Sequence, residues 1–197
     1  HSFPTRRSSD LTPMIGMVGL LSDITNATTV DFKYAGDSIY VIGETNDSFN
    51  GSEIQKMQHG ELTGQLFAFD DTAEIAAQKL VYSAISKQLL SSAHDLSEGG
   101  LIVGLLESSF AGDLSFDVQT KQADKYLFAE TPSRFVVSVA AEKAEAFEQL
   151  AGTQATKIGI VTDDDVLKVV TTNQTIMLSR TATKKVYQES LACQLKA

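Results

Sequence analysis

The stretch "SSAHDLSEGGL", residues 91–101, separates two apolar segments and contains an imidazole, two carboxylates and two adjacent glycines. Before it, "LLSSA" at residues 89–93 predicts a short buried strand. After it, "GLIVGLLESSF" at residues 100–110 is apolar on nearly every side, which predicts a buried helix. The stretch therefore predicts a strand–turn–helix unit that places polar side chains at the carboxyl end of a strand.

Hydrophobic periodicity assigns the other elements. The clearest helix spans about residues 71–89, where Asp71 followed by Glu74 resembles a capping box with Asp71 as the cap. Residues 14–21, "MIGMVGLL", predict a buried strand that belongs to a preceding sheet. Further strand signals lie at residues 37–42, 114–118, 135–140, 158–161, 166–170 and 175–178, and further helix signals at 52–58, 142–150 and from 182 onward. This intermixture predicts an α+β class, with helices layered on a mixed β-sheet.

Composition and charge exclude several classes of protein. The 197 residues are 43% hydrophobic but contain no run of about eighteen apolar residues, so we expect no membrane span. The 16 basic and 25 acidic residues give a net charge of −9, which is unfavourable for binding nucleic acid. The single cysteine, Cys193, cannot form an internal disulfide and no signal peptide is recognisable, so we expect a cytoplasmic protein. Residues 1–11, "HSFPTRRSSDL", lack apolar periodicity and are interpreted as a disordered or non-native leader.

Two hypotheses explain the polar turn. In the structural one, Asp95 and Ser97 satisfy the turn, Ser97 caps the next helix, and Glu98 in the first helical turn complements the helix dipole. The two glycines then permit close packing of the helix and the strand. In the functional one, Gly99 and Gly100 leave backbone amides open to a phosphate. Asp95 and Glu98 would repel that phosphate unless Mg²⁺ lay between them, because Mg²⁺ binds one or two carboxylates together with phosphate oxygens and water. The residues alone leave both hypotheses open.

An acidic triplet at residues 163–165 also has two interpretations. Three consecutive aspartates suggest a calcium site, but the spaced oxygen ligands of a calcium-binding loop do not follow them in the sequence. We therefore predict that the triplet is a hairpin loop, which joins the strand at residues 158–161 to the strand at residues 166–170.

Five segments occur in an order and spacing that resemble one enzyme family. They are "TPMIGMVGLL" (12–21), "GDSIYVIGET" (36–45), "NGSEIQK" (50–56), "SAHDLSEGGL" (92–101) and "LFAETPSRFVVSV" (127–139). Together they resemble the C-terminal part of phosphoribosylformylglycinamidine synthase, in the form whose synthetase subunit is a separate chain. The resemblance implies that residues 12–35 are the last strand and connector of a missing N-terminal domain. It also implies that residues 36–197 form a C-terminal domain of the aminoimidazole ribonucleotide synthase type, ending in a helix.

The resemblance implies an activity for the complete enzyme. The family is an ATP-dependent carbon–nitrogen ligase that converts formylglycinamide ribonucleotide and ammonia, released from glutamine, into formylglycinamidine ribonucleotide in de novo purine biosynthesis. The cofactors implied are Mg²⁺ and ATP or ADP. The partners implied are the missing N-terminal domains, a glutaminase subunit and a small accessory subunit, with no nucleic acid and no membrane. No catalytic residue is expected in this chain, and the chain alone is expected to be inactive.

The resemblance also assigns site residues. Asp95 matches an aspartate that ligates magnesium in the first half of such enzymes, whereas the second half often has a degenerate or auxiliary site. Glu98 is assigned with Asp95 as a metal ligand. The residues assigned to nucleotide or phosphate binding are His94, Ser97, Gly99, Gly100, Glu130 and Arg134.

One segment departs from the family pattern. Residues 130–132, Glu-Thr-Pro, match a Glu-Ser-Gln stretch of the family. Pro132 removes both an amide side chain and a backbone donor, which weakens the case for substrate contact there. Arg134 has two candidate partners, a carboxylate such as Glu130 or a phosphate, and we expect the ion pair with Glu130.

Two alternatives to the ligase remain open. One is a free-standing binding or assembly module of the same fold, without nucleotide chemistry, in which residues 14–21 would be buried internally. The ligase-fragment hypothesis instead predicts an exposed apolar patch there. The other alternative is a related ATP-using enzyme such as selenophosphate synthetase or thiamine-phosphate kinase, although "GSEIQK" and "HDLSEGG" favour the purine enzyme.

Overall fold

The computed structural model describes residues 16–21, 23–66 and 68–194, with side chains described up to residue 190. The strands are β1 (Ser38–Ile42), β2 (Ser92–Asp95), β3 (Ser115–Gln119), β4 (Phe135–Val139), β5 (Ala155–Thr162), β6 (Val166–Val170) and β7 (Thr175–Ser179). The helices are α1 (Glu53–His59), α2 (Asp71–Ser86), α3 (Gly100–Gly112), α4 (Ala144–Ala151) and α5 (Arg180–Gln194). The predicted leader, residues 1–11, lies outside the described residues.

The strands form one seven-stranded sheet in the order β2-β4-β1-β5-β3-β6-β7. All neighbours are antiparallel except β3 and β6, which are parallel, so the predicted mixed sheet and α+β class are confirmed. β3 lies between β5 and β6, so the acidic triplet that joins those two strands is not a hairpin loop, and that prediction is wrong. The triplet instead satisfies local backbone groups, since Asp164 accepts a hydrogen bond from the N–H of Val166 at 3.1 Å.

The sheet has a hydrophobic layer on each face, and β1 contributes to both. Ile39 and Val41 face the layer that contains Leu105 of α3. Tyr40 and Ile42 face the layer formed with α2 and α4. All residues of β1 are buried because both faces of the strand are covered. The side chains of α2 that fill the second layer are Ala77, Leu80, Val81 and Ala84, which confirms the apolar face predicted for this helix.

The boundaries of α2 differ from the prediction at both ends. The cap is Asp70, not Asp71, because the Asp70 side chain accepts hydrogen bonds from the backbone N–H groups of Thr72 at 3.0 Å and Ala73 at 3.1 Å. The helix ends at Ser86 rather than near residue 89, and Gln88 takes a left-handed conformation with φ 55° that turns the chain toward β2.

β2 begins later than predicted and lies at an edge of the sheet. It covers Ser92–Asp95 instead of residues 89–93, so His94 and Asp95 are part of the strand. Its ladder partner is β4, and on the other side the N–H of Ala93 donates to the carbonyl of Thr29 at 3.1 Å. The strand is therefore only partly buried, and its last residue is exposed.

The described part of the predicted first strand, residues 16–21, forms no strand. Its apolar side chains are exposed, with Met17 at 93%, Val18 at 99%, Leu20 at 102% and Leu21 at 54%. Within the described residues no strand of this sheet pairs with them, and their assignment to the sheet of a preceding domain stays a prediction. The exposed apolar patch is what the ligase-fragment hypothesis predicts and the opposite of internal burial. None of the helices within the described ranges is long and apolar enough to cross a bilayer.

Candidate functional site

The polar turn between β2 and α3 is anchored by Leu96. β2 ends at Asp95 and α3 begins at Gly100, which confirms that Asp95 lies at the carboxyl end of a strand. Leu96 is buried, and its N–H donates to the backbone carbonyl of Arg134 at 2.9 Å. This contact fixes the turn on β4 and directs the neighbouring polar side chains to solvent; those are Asp95, Ser97 and Glu98.

Neither Ser97 nor Glu98 takes its predicted place at the start of α3. The N-cap residue is Gly99, at φ 76°. As a glycine it has no side chain that could accept a capping hydrogen bond. Ser97 contributes its backbone carbonyl, which accepts the N–H of Gly100 at 3.1 Å, so the predicted Ser97 side-chain cap is wrong. Glu98 precedes the cap and is not in the first helical turn, so that prediction is also wrong. A turn closed by two left-handed glycines leaves no position for a local side-chain cap.

A distant carboxylate takes the place of the local cap. Oε1 of Glu130 accepts the N–H of Gly99 at 2.8 Å and the N–H of Glu53, the first residue of α1, at 3.0 Å. A negative group is favourable there because the N-terminus of a helix carries partial positive charge. Since the N–H groups of both Gly99 and Gly100 have partners within the chain, the prediction of open amides at this turn is wrong.

Contacts within the chain explain both glycines. A Cβ atom on Gly100 would lie 2.5 Å from the carbonyl oxygen of Ala129 and 2.8 Å from that of Leu127. A Cβ atom on Gly99 would lie 2.3 Å from Cγ2 of Val103. Both glycines also have positive φ, at 76° and 67°. Close packing against residues 127–129 therefore requires glycine at position 100, and the positive φ together with the nearby Val103 side chain favours glycine at position 99, without any ligand.

Arg134 is buried and bonds to neutral oxygens. Its side chain donates to the carbonyl of Thr131 at 2.9 Å, to Oγ1 of Thr45 at 2.9 Å and to the carbonyl of Ala129. Arg134 is 1% exposed, and burial lowers the pKa of its guanidinium to about 10. The predicted ion pair with Glu130 is wrong, because Glu130 bonds to the helix amides while the guanidinium joins residues 129–131 to the loop after β1.

His94 is held by a carboxylate of α3. Its Nε2 lies 2.9 Å from Oε2 of Glu107, and the other oxygen of Glu107 accepts the hydroxyl of Tyr187 in α5 at 2.8 Å. This hydrogen bond to Glu107 raises the pKa of the Tyr187 phenol. Nδ1 of His94 is buried and lies 3.5 Å from Oδ1 of Asp95. Sequence reasoning missed Glu107, although it is the only charged residue of an otherwise apolar helix.

The carboxylates of Asp95 and Glu98 are suited to a metal ion that keeps most of its water. Both side chains are exposed on one turn, and the Asp95 side chain is 68% accessible. Mg²⁺ commonly binds one or two carboxylates and completes its octahedron with water and phosphate oxygens. The donor set therefore fits hydrated Mg²⁺. Within the described ranges no group of three or more His, Cys, Asp or Glu side chains is placed to hold a metal ion.

Two clefts lie beside the segments that Glu130 and Arg134 hold. One, of about 550 Å³, lies between α1 and residues 124–128, where the ammonium of Lys125 is 5.4 Å from the ring centre of Phe49 and 4.7 Å from that of Tyr126. The other, of about 840 Å³, is lined by residues that include Glu44, Asp70 and Thr131. Sequence reasoning identified neither cleft, because the residues of each come from separate segments.

The fold and the turn agree with one protein family. Residues 34–172 match the family described as AIR synthase related protein, C-terminal domain. This chain belongs to that family. The match includes six of the seven strands and the whole β2–α3 turn, so the turn is part of the family's domain rather than an addition to it.

Individual members of the family are similar over most of the chain. The chain is 61% identical over 186 residues to phosphoribosylformylglycinamidine synthase subunit PurL of Leuconostoc mesenteroides subsp. mesenteroides, covering 94% of this chain and 25% of that protein. The chain thus spans about a quarter of the length of the curated relatives it matches.

Solved structures show the same fold. Thermotoga maritima PurL complexed with FGAR superposes with a TM-score of 0.69 at 17% identity, over 82% of this chain and 30% of that one. The same protein complexed with ATP superposes with a TM-score of 0.62 at 16% identity, over 80% and 27%. A PurLQS structure from Thermotoga maritima gives 0.65 at 16% identity, over 82% and 28%. At this identity the likeness supports the fold alone.

Proposed function

We propose that this chain is the C-terminal domain of a PurL-type subunit of phosphoribosylformylglycinamidine synthase. The observation that carries the proposal is the 61% identity to Leuconostoc PurL over 94% of the chain. In the complete enzyme, ATP would activate the amide oxygen of formylglycinamide ribonucleotide, and ammonia would replace that oxygen to give the amidine. We assign residues 36–197 to the domain and residues 12–35 to the last strand and connector of a preceding domain.

The exposed apolar patch at residues 17–21 supports this assignment. Four large apolar side chains in a short segment are unfavourable in water and are typical of a surface that packs against another domain. In the assembly-module alternative the same segment would be buried within this chain, which disagrees with its exposure. The identity to PurL likewise favours the purine enzyme over selenophosphate synthetase and thiamine-phosphate kinase.

We assign the polar turn to a Mg²⁺–nucleotide site of the complete subunit. Asp95 and Glu98 would hold the ion through exposed carboxylates, and the ion would neutralise phosphate charge that the acidic turn otherwise repels. The solved complex of Thermotoga maritima PurL with ATP supports a nucleotide as the ligand. The contacts of the other assigned residues indicate supporting roles, in which His94, Gly99, Gly100, Glu130 and Arg134 hold the turn in place and Ser97 closes it through its carbonyl.

The partners and the compartment follow from the same assignment. The PurLQS structure from Thermotoga maritima supports assembly of the complete subunit with two further subunits, which we propose to be the glutaminase and the small accessory subunit. Purine synthesis with a glutamine-derived nitrogen is cytoplasmic chemistry, and we propose that location for this protein.

The decisive experiment compares Asp95→Asn with Asp163→Asn in the complete subunit. Asp163 is an exposed aspartate of the loop between β5 and β6 and serves as the matched control. Loss of one metal-bound carboxylate should weaken Mg²⁺–ADP binding at this half about tenfold or more in calorimetric titrations, while Asp163→Asn should leave it unchanged. Equal affinities for all three proteins would contradict the metal assignment.

A separate experiment tests the enzyme assignment. The 197-residue chain alone should form no formylglycinamidine ribonucleotide from formylglycinamide ribonucleotide, ATP and ammonium, and the same chain joined to its upstream domains should form it. A joined subunit that binds the substrate but turns over no ATP would contradict the ligase proposal.

A further inference from the structure

Glu130 contacts the starts of two helices from a third segment of the chain. Its Oε1 atom is 2.8 Å from the amide nitrogen of Gly99 at α3 and 3.0 Å from that of Glu53 at α1. Gly99 lies 31 residues from Glu130 along the chain, and Glu53 lies 77 residues away. One carboxylate oxygen thus joins three segments that are remote in sequence.

The segment that carries Glu130 is itself fixed on both sides of it. The N–H of Glu130 donates to the carbonyl of Ser48 at 3.0 Å. The hydroxyl of Thr131, which is 3% exposed, accepts the N–H of Asn46 at 3.0 Å. The guanidinium of Arg134 donates to Oγ1 of Thr45 at 2.9 Å. Because the backbone around Glu130 is held in this way, the position of its carboxylate is determined by the fold and not by solvent.

The carboxylate is also enclosed on the α3 side. The carbonyl oxygens of Leu127 and Ala129 approach the α-carbon of Gly100 so closely that any Cβ atom would clash at 2.8 and 2.5 Å. A phosphate could therefore bind the N–H of Gly99 only by displacing the carboxylate of Glu130. The negative charge that the helix terminus favours is already supplied by the chain.

We propose that Glu130 is a positioning residue, an internal anion that holds the β2–α3 turn against α1 and thereby orients Asp95 and Glu98. This role rests on the Mg²⁺–nucleotide site proposed above. This role removes the amides of Gly99 and Gly100 from direct contact with a phosphate, since both are engaged.

The test uses chemical rescue of Glu130→Ala. The substitution leaves two amide donors facing a space that a small carboxylate can fill. Formate should therefore restore slow amide exchange and Mg²⁺–ADP affinity. Chloride at equal ionic strength should restore neither. Glu130→Gln keeps an acceptor oxygen without the charge and should give an intermediate effect. Glu61→Ala, at an exposed glutamate outside this cluster, is the matched control.

Two measurements separate the positioning role from the proposed function. In the 197-residue chain, amide hydrogen exchange at Gly99 and Glu53 should accelerate together in Glu130→Ala, by about tenfold or more, and slow again with formate. In the complete subunit, the same variant should weaken Mg²⁺–ADP binding at this half about tenfold, also with rescue by formate. If Glu130→Ala does not fold, Glu130→Gln supplies both readouts.

Each result decides a separate point. If amide hydrogen exchange accelerates at only one of Gly99 and Glu53, or at neither, Glu130 is not an anion shared by the two helix starts. Exchange that rises at both while Mg²⁺–ADP affinity stays constant overturns the positioning role. Complete absence of Mg²⁺–ADP binding in the unsubstituted subunit contradicts the proposed site and with it the orienting role, while the exchange data still decide whether Glu130 is the internal anion.

Discussion

The starts of α2 and α3 are stabilised in opposite ways. At α2 the side chain of Asp70, the residue directly before the helix, accepts two backbone N–H groups of the first turn. At α3 the residue before the helix is Gly99, and its N–H is bound by Glu130 from a segment 31 residues away. α2 can therefore begin as soon as its own first turn forms, whereas α3 begins correctly only when residues 127–134 are in place.

The difference follows from what surrounds each helix start. The start of α2 is exposed, so a short polar side chain can cap it at no cost in packing. Gly100 is buried against the carbonyl groups of residues 127–129, where only a glycine fits. A start that must approach another backbone this closely has no room for its own side-chain cap.

Gly100→Ala should lower the free energy of unfolding most, because its Cβ atom would prevent the close approach of residues 127–129 to the start of α3. Alanine at φ 67° is strained, and its Cβ atom would lie 2.5 Å from the carbonyl oxygen of Ala129. We expect the free energy of unfolding to fall by about 2–5 kcal/mol in urea titrations. Gly60→Ala is the control, since Gly60 has φ 75° but no atom within 4 Å of a Cβ, and we expect a loss of about 1–2 kcal/mol. Equal losses for the two variants would show that contact with residues 127–129 is unimportant.

Asp70→Ala should lower the free energy of unfolding by less, because it changes only the start of α2. Loss of the two capping hydrogen bonds should lower the free energy of unfolding by about 0.5–2 kcal/mol. Asp71→Ala removes only a favourable interaction with the helix dipole and should cost roughly 0.3–1 kcal/mol. Thermal unfolding of both variants distinguishes them, and a larger loss for Asp71→Ala would identify Asp71 as the cap after all.

The start of α5 is a third helix start, and the stability that its carboxylate provides should depend on pH. Asp165 accepts hydrogen bonds from the hydroxyl of Ser179 and from the hydroxyl and N–H of Thr181, which lower the pKa of its carboxyl to about 2. A carboxyl whose pKa is lower in the folded state stabilises the fold above its unfolded pKa, near 4, and loses that contribution as pH falls toward 2. Asp165→Asn should therefore melt earlier than the unsubstituted chain at pH 6, with the difference shrinking as pH falls toward 2. A difference that is constant with pH would exclude the carboxylate as the cause.

Asp95→Asn should give the smallest effect on stability. The Asp95 side chain is 68% exposed, and its Oδ1 lies 3.5 Å from Nδ1 of His94. We expect a change within about 0.5 kcal/mol in the free energy of unfolding of this chain. A loss above 1 kcal/mol would mean that the carboxylate stabilises the turn, as the structural hypothesis for the polar stretch proposed.

Features set by nearby residues were predictable from the sequence. The apolar face of α2 follows from its helical spacing, and the alternation of Phe116 and Val118 marks β3. From residue 36 onward, the order of strands and helices along the chain also agrees with the prediction. The errors at this level are shifts of one to three residues, such as Asp71 for Asp70, because neighbouring aspartates satisfy the same capping pattern.

Features set by remote residues were not predictable from periodicity or turn chemistry. The insertion of β3 between β5 and β6 depends on which strand edges meet, and short strands carry no signal of their neighbours. The contact of Glu130 with Gly99 and Glu53 is of the same kind, as is the bond from His94 to Glu107. The polar turn was located correctly, but its amides were assigned to an external anion because the internal one is distant in sequence.

The strand order has a consequence for how the chain acquires its structure during synthesis. β1 pairs with β4 and β5, β2 pairs with β4, and β3 pairs with β5 and β6, so the first three strands have no ladder with one another. A nascent chain that ends at residue 134 therefore contains three strands of the sheet and none of their ladder partners. Every ladder of the sheet waits for β4 or a later strand, which makes the domain a late and non-local folder whose nascent chain needs protection from aggregation.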